Sequence, residues 1–478
     1  MSTYRFDFRR AFGTVLQALA LSTMLAAISA ASPAAQPDLT KISQDPYTGR
    51  PGQHATEVEP VMVVQKNTIV TAFQVGRFFG AGSVNIGWAT SLDAGKTWQH
   101  GFLSGTTGVA GGPWHAVSLP TIVFDQKHKV YIIAMQPFDQ NSNGLAILVS
   151  RSADGLHWGA PITAVSVAGT NGHWFACDNS AGSPYYGNCY DAYLDYSSGT
   201  TNVNALIVSK DGGLTWSAPV PSPDQAAGLV TSIAIQPNGN FVVLGRTGGP
   251  NGDQAYAIPS TDGGVSLQPT VDITTHQFDY PWLRADPDLS SAVAADGTIY
   301  VVFPDCRFRA NCSDPGCRFE PTTFFCAPND LLLTSSQDGV NWSTFQRIPI
   351  DPVTSNMDHF ITGIGLLSDG SGTKIALTYY FEQNANLPHG ATCTSSTCLV
   401  SEGYIASSDG GHSWTQATTV AGPLPQLWFV PTNAGQMVAD YISAVFVNGH
   451  PFGSFAIALQ PPASGTFNEA IYATPLPD

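Results

Sequence analysis

Charge is scarce in this chain. Only 11% of its residues are Asp, Glu, Lys or Arg, and the basic ones are the rarer, 19 against 35 acidic. The resulting net charge of −16 excludes a protein built to grip nucleic acid or an anionic membrane, because both tasks draw on Lys and Arg. Heptads and amphipathic runs at helical spacing are missing too, which excludes a helical bundle or coiled coil. After the N-terminal stretch no apolar run is long enough to span a bilayer. What is abundant is Gly, 47 residues, and aromatics, 11%, the composition of short strands joined by many turns.

The N-terminus reads as an export signal. Arg5, Arg9 and Arg10 precede an apolar stretch from about Val15 to Ala30, with small residues ending near Ala30 or Ala35. Arg9-Arg10-Ala11-Phe12 resembles a twin-arginine signal, imperfectly because of Asp7, so export is expected by the Sec or the Tat route, to the periplasm or outside the cell. The division expected is a signal peptide at 1–35, a linker at 36–52 and one domain at 53–478. Eight cysteines, an even number in an exported chain, read as disulfides. Cys177 with Cys189 and Cys393 with Cys398 make local loops, and Cys306, Cys312, Cys317 and Cys326 form two more pairs of open connectivity. Their spacing lacks the paired CxxC of a zinc site.

Six times a Ser, a variable residue, an Asp and one or two glycines recur in order. The full form is Ser91-Leu-Asp93-Ala-Gly-Lys-Thr-Trp98, and it returns around Asp211 and Asp409; a form one residue shorter surrounds Asp154 and Asp338, and the copy at Asp262 has lost its Trp. The carboxylate accepts backbone N–H bonds inside a tight turn, Gly supplies positive φ, and Trp offers a plate to the adjoining unit. These six aspartates are therefore assigned a structural role. Self-similarity of this kind marks stacked supersecondary units. The motif resembles the Asp-box, or BNR repeat, of the sialidase superfamily, and the resemblance runs from about Gln53 to the C-terminus. It implies an all-β propeller of four-stranded blades, while the activity stays open because one scaffold hosts unrelated chemistries.

Alternating strands precede each motif, as in Val61–Val64 with Ile69–Phe73, Thr121–Phe124 with Val130–Ile133 and Ala292–Ala294 with Ile299–Phe303. A last unit without the motif, from Tyr441 to Ala473, brings the count to seven blades, against six with an irregular segment. Enzymatic sialidases resemble six-bladed rings, so seven departs from that pattern.

In a propeller the loops leading into the innermost strands and those leaving the second strands open at one mouth. By that rule the mouth collects Glu57, Glu59, His115, His173, Arg284, Asp286, Asp358, His359, Asp440 and Tyr441, together with Arg77, Arg246 and Arg307. Several guanidinium groups suit a carboxylate, since the planar fork gives bidentate bonds, and sialic and uronic acids carry one. The resemblance to sialidases implies a Tyr nucleophile helped by a Glu, an Asp acid/base, three arginines on the carboxylate and an Arg-Ile-Pro motif in the first blade. The one such motif here, Arg347-Ile348-Pro349, follows the fifth repeat and takes no catalytic role. Tyr441 or Tyr280 is then the candidate nucleophile and Asp358 or Asp440 the acid. Arg77, Arg246 and Arg307 form the candidate clamp, with Arg284, His359 and Glu57 also facing the ligand. Two alternatives stand beside this hydrolase: a polysaccharide lyase using His115, His173, His359 or Tyr441 as proton carriers, and a non-catalytic glycan- or protein-binding propeller. The partner expected is an acidic oligo- or polysaccharide, with no nucleic acid and no membrane span after signal removal, bound by a monomer. No cofactor is specified. Calcium in a loop or channel agrees with the many Asp residues, although no EF-hand loop encodes it.

Overall fold

The computed structural model describes residues 38–47, 49–199, 202–247, 254–278, 283–310, 312, 327–370, 372–383, 393–463 and 465–478. The N-terminal signal, Tyr280, Cys317 and Cys326 lie outside them. The described chain is all-β. Helix is confined to 3-10 turns such as Gly108–Ala110 and Gln426–Trp428, and among the described residues no helix is long and apolar enough to cross a membrane.

The strands follow one another as antiparallel meanders. Leu229–Ile235, Phe241–Thr247, Gln254–Ser260 and Val271–Thr275 make one four-stranded sheet. A second runs from Ser290–Val293 to Gln346–Arg347 and a third from Asp358–Asp369 to Thr418–Pro425. Gln53–Gln65, Thr68–Arg77, Ser83–Ser91 and Gln99–Phe102 pair in the same order. The long strand Ile162–Cys177 serves two meanders at once: its first half pairs with Gly144–Ser152, its second with Cys189–Asp195, and Thr170 is paired on both sides.

The last meander is completed from the other end of the chain. Ser443–Val447, His450–Ala458 and Glu469–Pro475 pair in sequence, and Thr40–Lys41 adds to the free side of the last strand. Ile42 is buried beside it, and the Ser43 hydroxyl gives a 2.8 Å bond to Glu57 while accepting the Ile471 amide. Part of the segment read as a linker, 36–52, thus belongs to the fold; a two-residue strand is too short to leave a periodic signature. A hairpin of Val430–Thr432 and Gly435–Met437 went unforeseen for the same reason.

Alternation buries both faces of the inner strands, as in Thr68–Arg77, where nearly every position is buried. Sheet faces pack on one another through clusters such as Val70, Ile86, Ile122 and Ile133. The Ser-x-Asp turns lock the corners. Asp93 Oδ1 accepts the Lys96 and Thr97 amides at 3.1 and 2.9 Å, Oδ2 accepts the Thr97 hydroxyl at 2.7 Å, and Ser91 Oγ accepts the Gly95 amide at 2.8 Å. The copy without Trp keeps the same bonds, from Ser266 to Asp262, and Leu267 takes the buried place of the ring. Gly155 shows why glycine is required: its φ is +74, and a Cβ there would stand 2.8 Å from Val70 Cγ2 of the adjoining sheet.

Three disulfides lie within the described residues: the expected Cys177–Cys189 and Cys393–Cys398, and Cys306–Cys312. The last of these resolves part of the open connectivity.

Candidate functional site

The ends of the meanders opposite the Ser-x-Asp turns surround a cavity of about 730 Å³. That the two ends are opposite follows from register: Ser91 pairs with Ile69 at the start of its neighbour, whereas Arg77, at the far end of that strand, pairs with Gln53 and Ser83. Five strands carry a β-bulge in the stretch that leads away from the cavity, at Glu59, Leu119, Gly172, Thr231 and Ile361. Glu59, Leu119, Gly172 and Ile361 have φ of 58, 52, 57 and 45. A bulge of this kind re-aims the chain, and Leu119, Gly172, Thr231 and Ile361 all line the cavity.

Arg77, Arg246, Arg284, His173, Asp440 and Tyr441 line it as well, joined by Asp286 and Asp288. Each guanidinium is held differently. Arg246 is neutralised by two carboxylates, Asp288 Oδ1 at 2.5 Å and Asp286 Oδ2 at 2.8 Å. Arg284 reaches Asp440 Oδ2 at 2.5 Å, leaving Asp440 Oδ1 buried without a partner. Arg77 binds the carbonyls of Phe78 and Gly82 at 2.8 and 2.6 Å, and its Nε approaches Met437 Sδ at 3.3 Å. Among the described residues no carboxylate stands in ion-pairing range of Arg77. Burial, followed by the nearby Arg284 charge, lowers its pKa to about 10.

Tyr441 sits beside this group with its hydroxyl facing Glu59 Oε2 at 3.3 Å and the Pro120 carbonyl at 3.0 Å, its ring edge-on to Trp174. Gln74 donates to the same Glu59 oxygen. Burial, then Asp440, pushes the Glu59 carboxyl up to about 8, and burial followed by Glu59 pushes the Tyr441 phenol well above its usual value. Asp288 is raised to about 6, chiefly by burial. His173 is buried in the wall, with Nδ1 on Asp191 at 3.0 Å and Nε2 on the Leu119 carbonyl at 2.9 Å.

Other residues expected at the mouth do not line this cavity. Arg307 binds Asp305 through Nε and Nη2 and lies over Phe345, 4.5 Å from the ring centroid. Asp358 is buried under Asn329, which donates to it twice at 2.9 Å, and His359 turns Nδ1 to the Asn329 carbonyl. His359 belongs to a second polar cluster, where Asp330 and Asp351 are bridged by Arg309 and Arg347. Asp330, Asp351 and His359 could bring one ligand atom each within 4.8 Å of the others, but the two guanidinium groups already neutralise the carboxylates. Glu57 lies at the junction with Ser43, its pKa raised to about 8 by burial. His115 is exposed and stacked on Phe78. Strand order fixes which loop each residue occupies, not which way its side chain turns. Glu59 and Asp286 stand in the expected set without a role, and Asp288 does not stand in it. A signal for the bulges did exist, since Glu59-Pro60 and Leu119-Pro120 repeat the same step at equivalent places.

No family model matches the chain, and no curated protein matches its sequence. Solved structures do. An ulvan lyase from a new family of polysaccharide lyases, bound to a GlcA(1-4)Rha3S ligand, superimposes with a TM-score of 0.50 at 10% identity over 92% of this chain and 96% of that one. A phage phi92 endosialidase gives 0.49 at 12% identity over 92% and 69%, and a Penicillium chrysogenum α-L-arabinanase complexed with arabinobiose 0.46 at 10% over 92% and 98%. At such identities the likeness to the lyase speaks for the fold alone.

Proposed function

We propose that the meanders close into a seven-bladed β-propeller spanning 53–478, exported by the signal at 1–35, and that its central cavity is the active site of a secreted, sialidase-like glycoside hydrolase acting on carboxylate-bearing glycans. Similarity to glycan-active proteins supports a glycan as the partner. The observation that carries the hydrolase reading is the Tyr441 hydroxyl set against the Glu59 carboxyl within a wall holding three guanidinium groups.

A phenol is a poor nucleophile until it loses its proton. Glu59 is a stronger base than an ordinary carboxylate because burial disfavours its charge. It takes the Tyr441 proton as the phenolic oxygen bonds the anomeric carbon, and returns it when water releases the sugar. Asp288, raised to about 6, lines the same cavity, gives the leaving-group oxygen its proton and takes one back from the water that releases the sugar. Asp440, in the same lining, supplies negative charge near the positive charge developing on the sugar. Arg77 and Arg284 repel one another, so a substrate carboxylate placed between them is favoured twice, by hydrogen bonds and by relief of that repulsion.

His173 in the cavity wall favours a second reading, a lyase on uronic-acid glycans in which His173 and Tyr441 move protons while Arg77 neutralises the carboxylate. Incubation with sialoglycoconjugates and with uronate polysaccharides separates the two. Free sialic acid marks the hydrolase and ultraviolet absorbance of an unsaturated uronate the lyase; neither product leaves a binding protein.

A further inference from the structure

The loop Phe78–Gly82, between the strands Thr68–Arg77 and Ser83–Ser91, is held more firmly than its exposure requires. The Phe78 amide donates to the Gly82 carbonyl at 2.9 Å, Arg77 Nη1 holds the carbonyls of both residues, and the Asn433 amide donates to the Phe79 carbonyl at 3.0 Å. Gly80, Ala81 and Gly82 line the cavity, as do Asn433 and Ala434 on the facing segment. Yet Phe79, pinned between them, is 57% exposed. Its neighbour Phe78 stacks on the exposed His115 ring, with centroids 5.1 Å apart and planes 22° from parallel. A large apolar ring kept in water on an immobilised backbone gains nothing from packing.

Sugars offer what such a surface lacks. One face of a pyranose is a patch of C–H groups that lies flat on an aromatic plate, while its hydroxyls stay in water. We propose that Phe79, with the Phe78–His115 stack, forms a second sugar-binding site at the lip of the cavity, holding the next ring of a glycan chain whose terminal sugar sits inside. This rests on the cavity being a glycan site. It deepens that reading by making the ligand an oligo- or polysaccharide rather than a lone sugar. The loop contributes no charged side chain between Phe78 and Gly82, so the recognition there is of the ring's face. Continuity with the cavity through Arg77 and Gly80–Gly82 singles out this occupant.

Calorimetry with four probes tests it: free sialic acid, an α2,8-linked sialic acid tetramer, glucuronic acid, and a tetrasaccharide of glucuronate and rhamnose. The wild-type protein is expected to bind one tetramer more tightly than the matching monosaccharide. Phe79→Ala and His115→Ala should each remove roughly three- to tenfold of that preference and leave monosaccharide affinity and melting temperature unchanged. Equal affinity for chain and monosaccharide in the wild-type protein, or a preference retained in both variants, would overturn the lip site and leave the cavity reading standing. Wild-type protein that binds none of the four would end the cavity reading, and the lip site with it. Self-association abolished by Phe79→Ala would assign the patch to a second copy of the chain and overturn the proposal as well.

Discussion

The two ends of the meanders that carry the Ser-x-Asp motif solve the same problem in opposite ways. At one end a strand turns through Ser-x-Asp-Gly, with a short carboxylate supplying the acceptors and glycine the positive φ. At the other end the chain also takes positive φ, at Glu59, Leu119 and Ile361, but with side chains that turn chemistry does not favour. Such strain is tolerated where surrounding structure over-determines it, commonly at functional sites. The corners are uniform and locally satisfied. The cavity end is varied, and its carboxyl groups are buried with oxygens lacking partners, Glu59 Oε1 and Asp440 Oδ1 among them.

Substitutions at the two ends should therefore separate activity from stability. Tyr441→Phe is expected to lower turnover about a thousandfold or more with little change in melting temperature; a variant that keeps its rate removes the nucleophile from the scheme. Glu59→Gln should cost about a hundredfold. The wild-type rate is expected to follow a bell with limbs near pH 6 and 8, from Asp288 and Glu59, and Glu59→Gln should keep only a fall through about 6. An unchanged profile would take Glu59 out of the chemistry.

Gly155→Ala is expected to destabilise by about 1–3 kcal/mol, from positive φ and the clash with Val70. Asp211→Ala should cost about 1 kcal/mol, as loss of a cap does, and neither should alter ligand affinity at permissive temperature. Denaturant melts and calorimetry on the same samples check both.

The two ends also limit stability at opposite pH. Asp93, Asp338 and Asp409 are depressed to about 2, the first and last mainly by hydroxyl bonds from Thr97 and Ser413, and Asp338 mainly by the Asn341 amide. What they contribute is present above the ordinary aspartate pKa and lost as pH falls through about 2. Glu57 and Glu382 are raised to about 8 by burial. Their contribution is complete below the ordinary glutamate pKa and is lost as pH rises through about 8. Melting temperature is thus expected to peak near pH 4 to 5 and decline toward 8, with Glu57→Gln flattening the decline; a maximum at neutral pH would contradict this.

Sequence served the corners better than the cavity because a turn is a local solution. Asp93 finds all its partners within a few residues, so its role shows in eight letters. Tyr441 instead meets Glu59 and Pro120, more than three hundred residues away, and that meeting depends on the first and last meanders coming together. Arg77, Arg246, Arg284 and Tyr441 could be nominated from strand order alone. The side-chain directions that hold Arg307 on Asp305 and His359 beneath Asn329 could not, and the hairpin at 430–437 that brings Met437 to Arg77 carries no alternation to announce it.

One backbone feature bears on how such a chain can be re-engineered. Because Ile162–Cys177 doubles back at the cavity with no connecting loop, Thr170 being paired to both neighbours, those two units cannot be cut apart, swapped or duplicated at a loop as their neighbours can. Any graft from a relative must carry the pair together, with the reversal at Gly169–Gly172 that joins them.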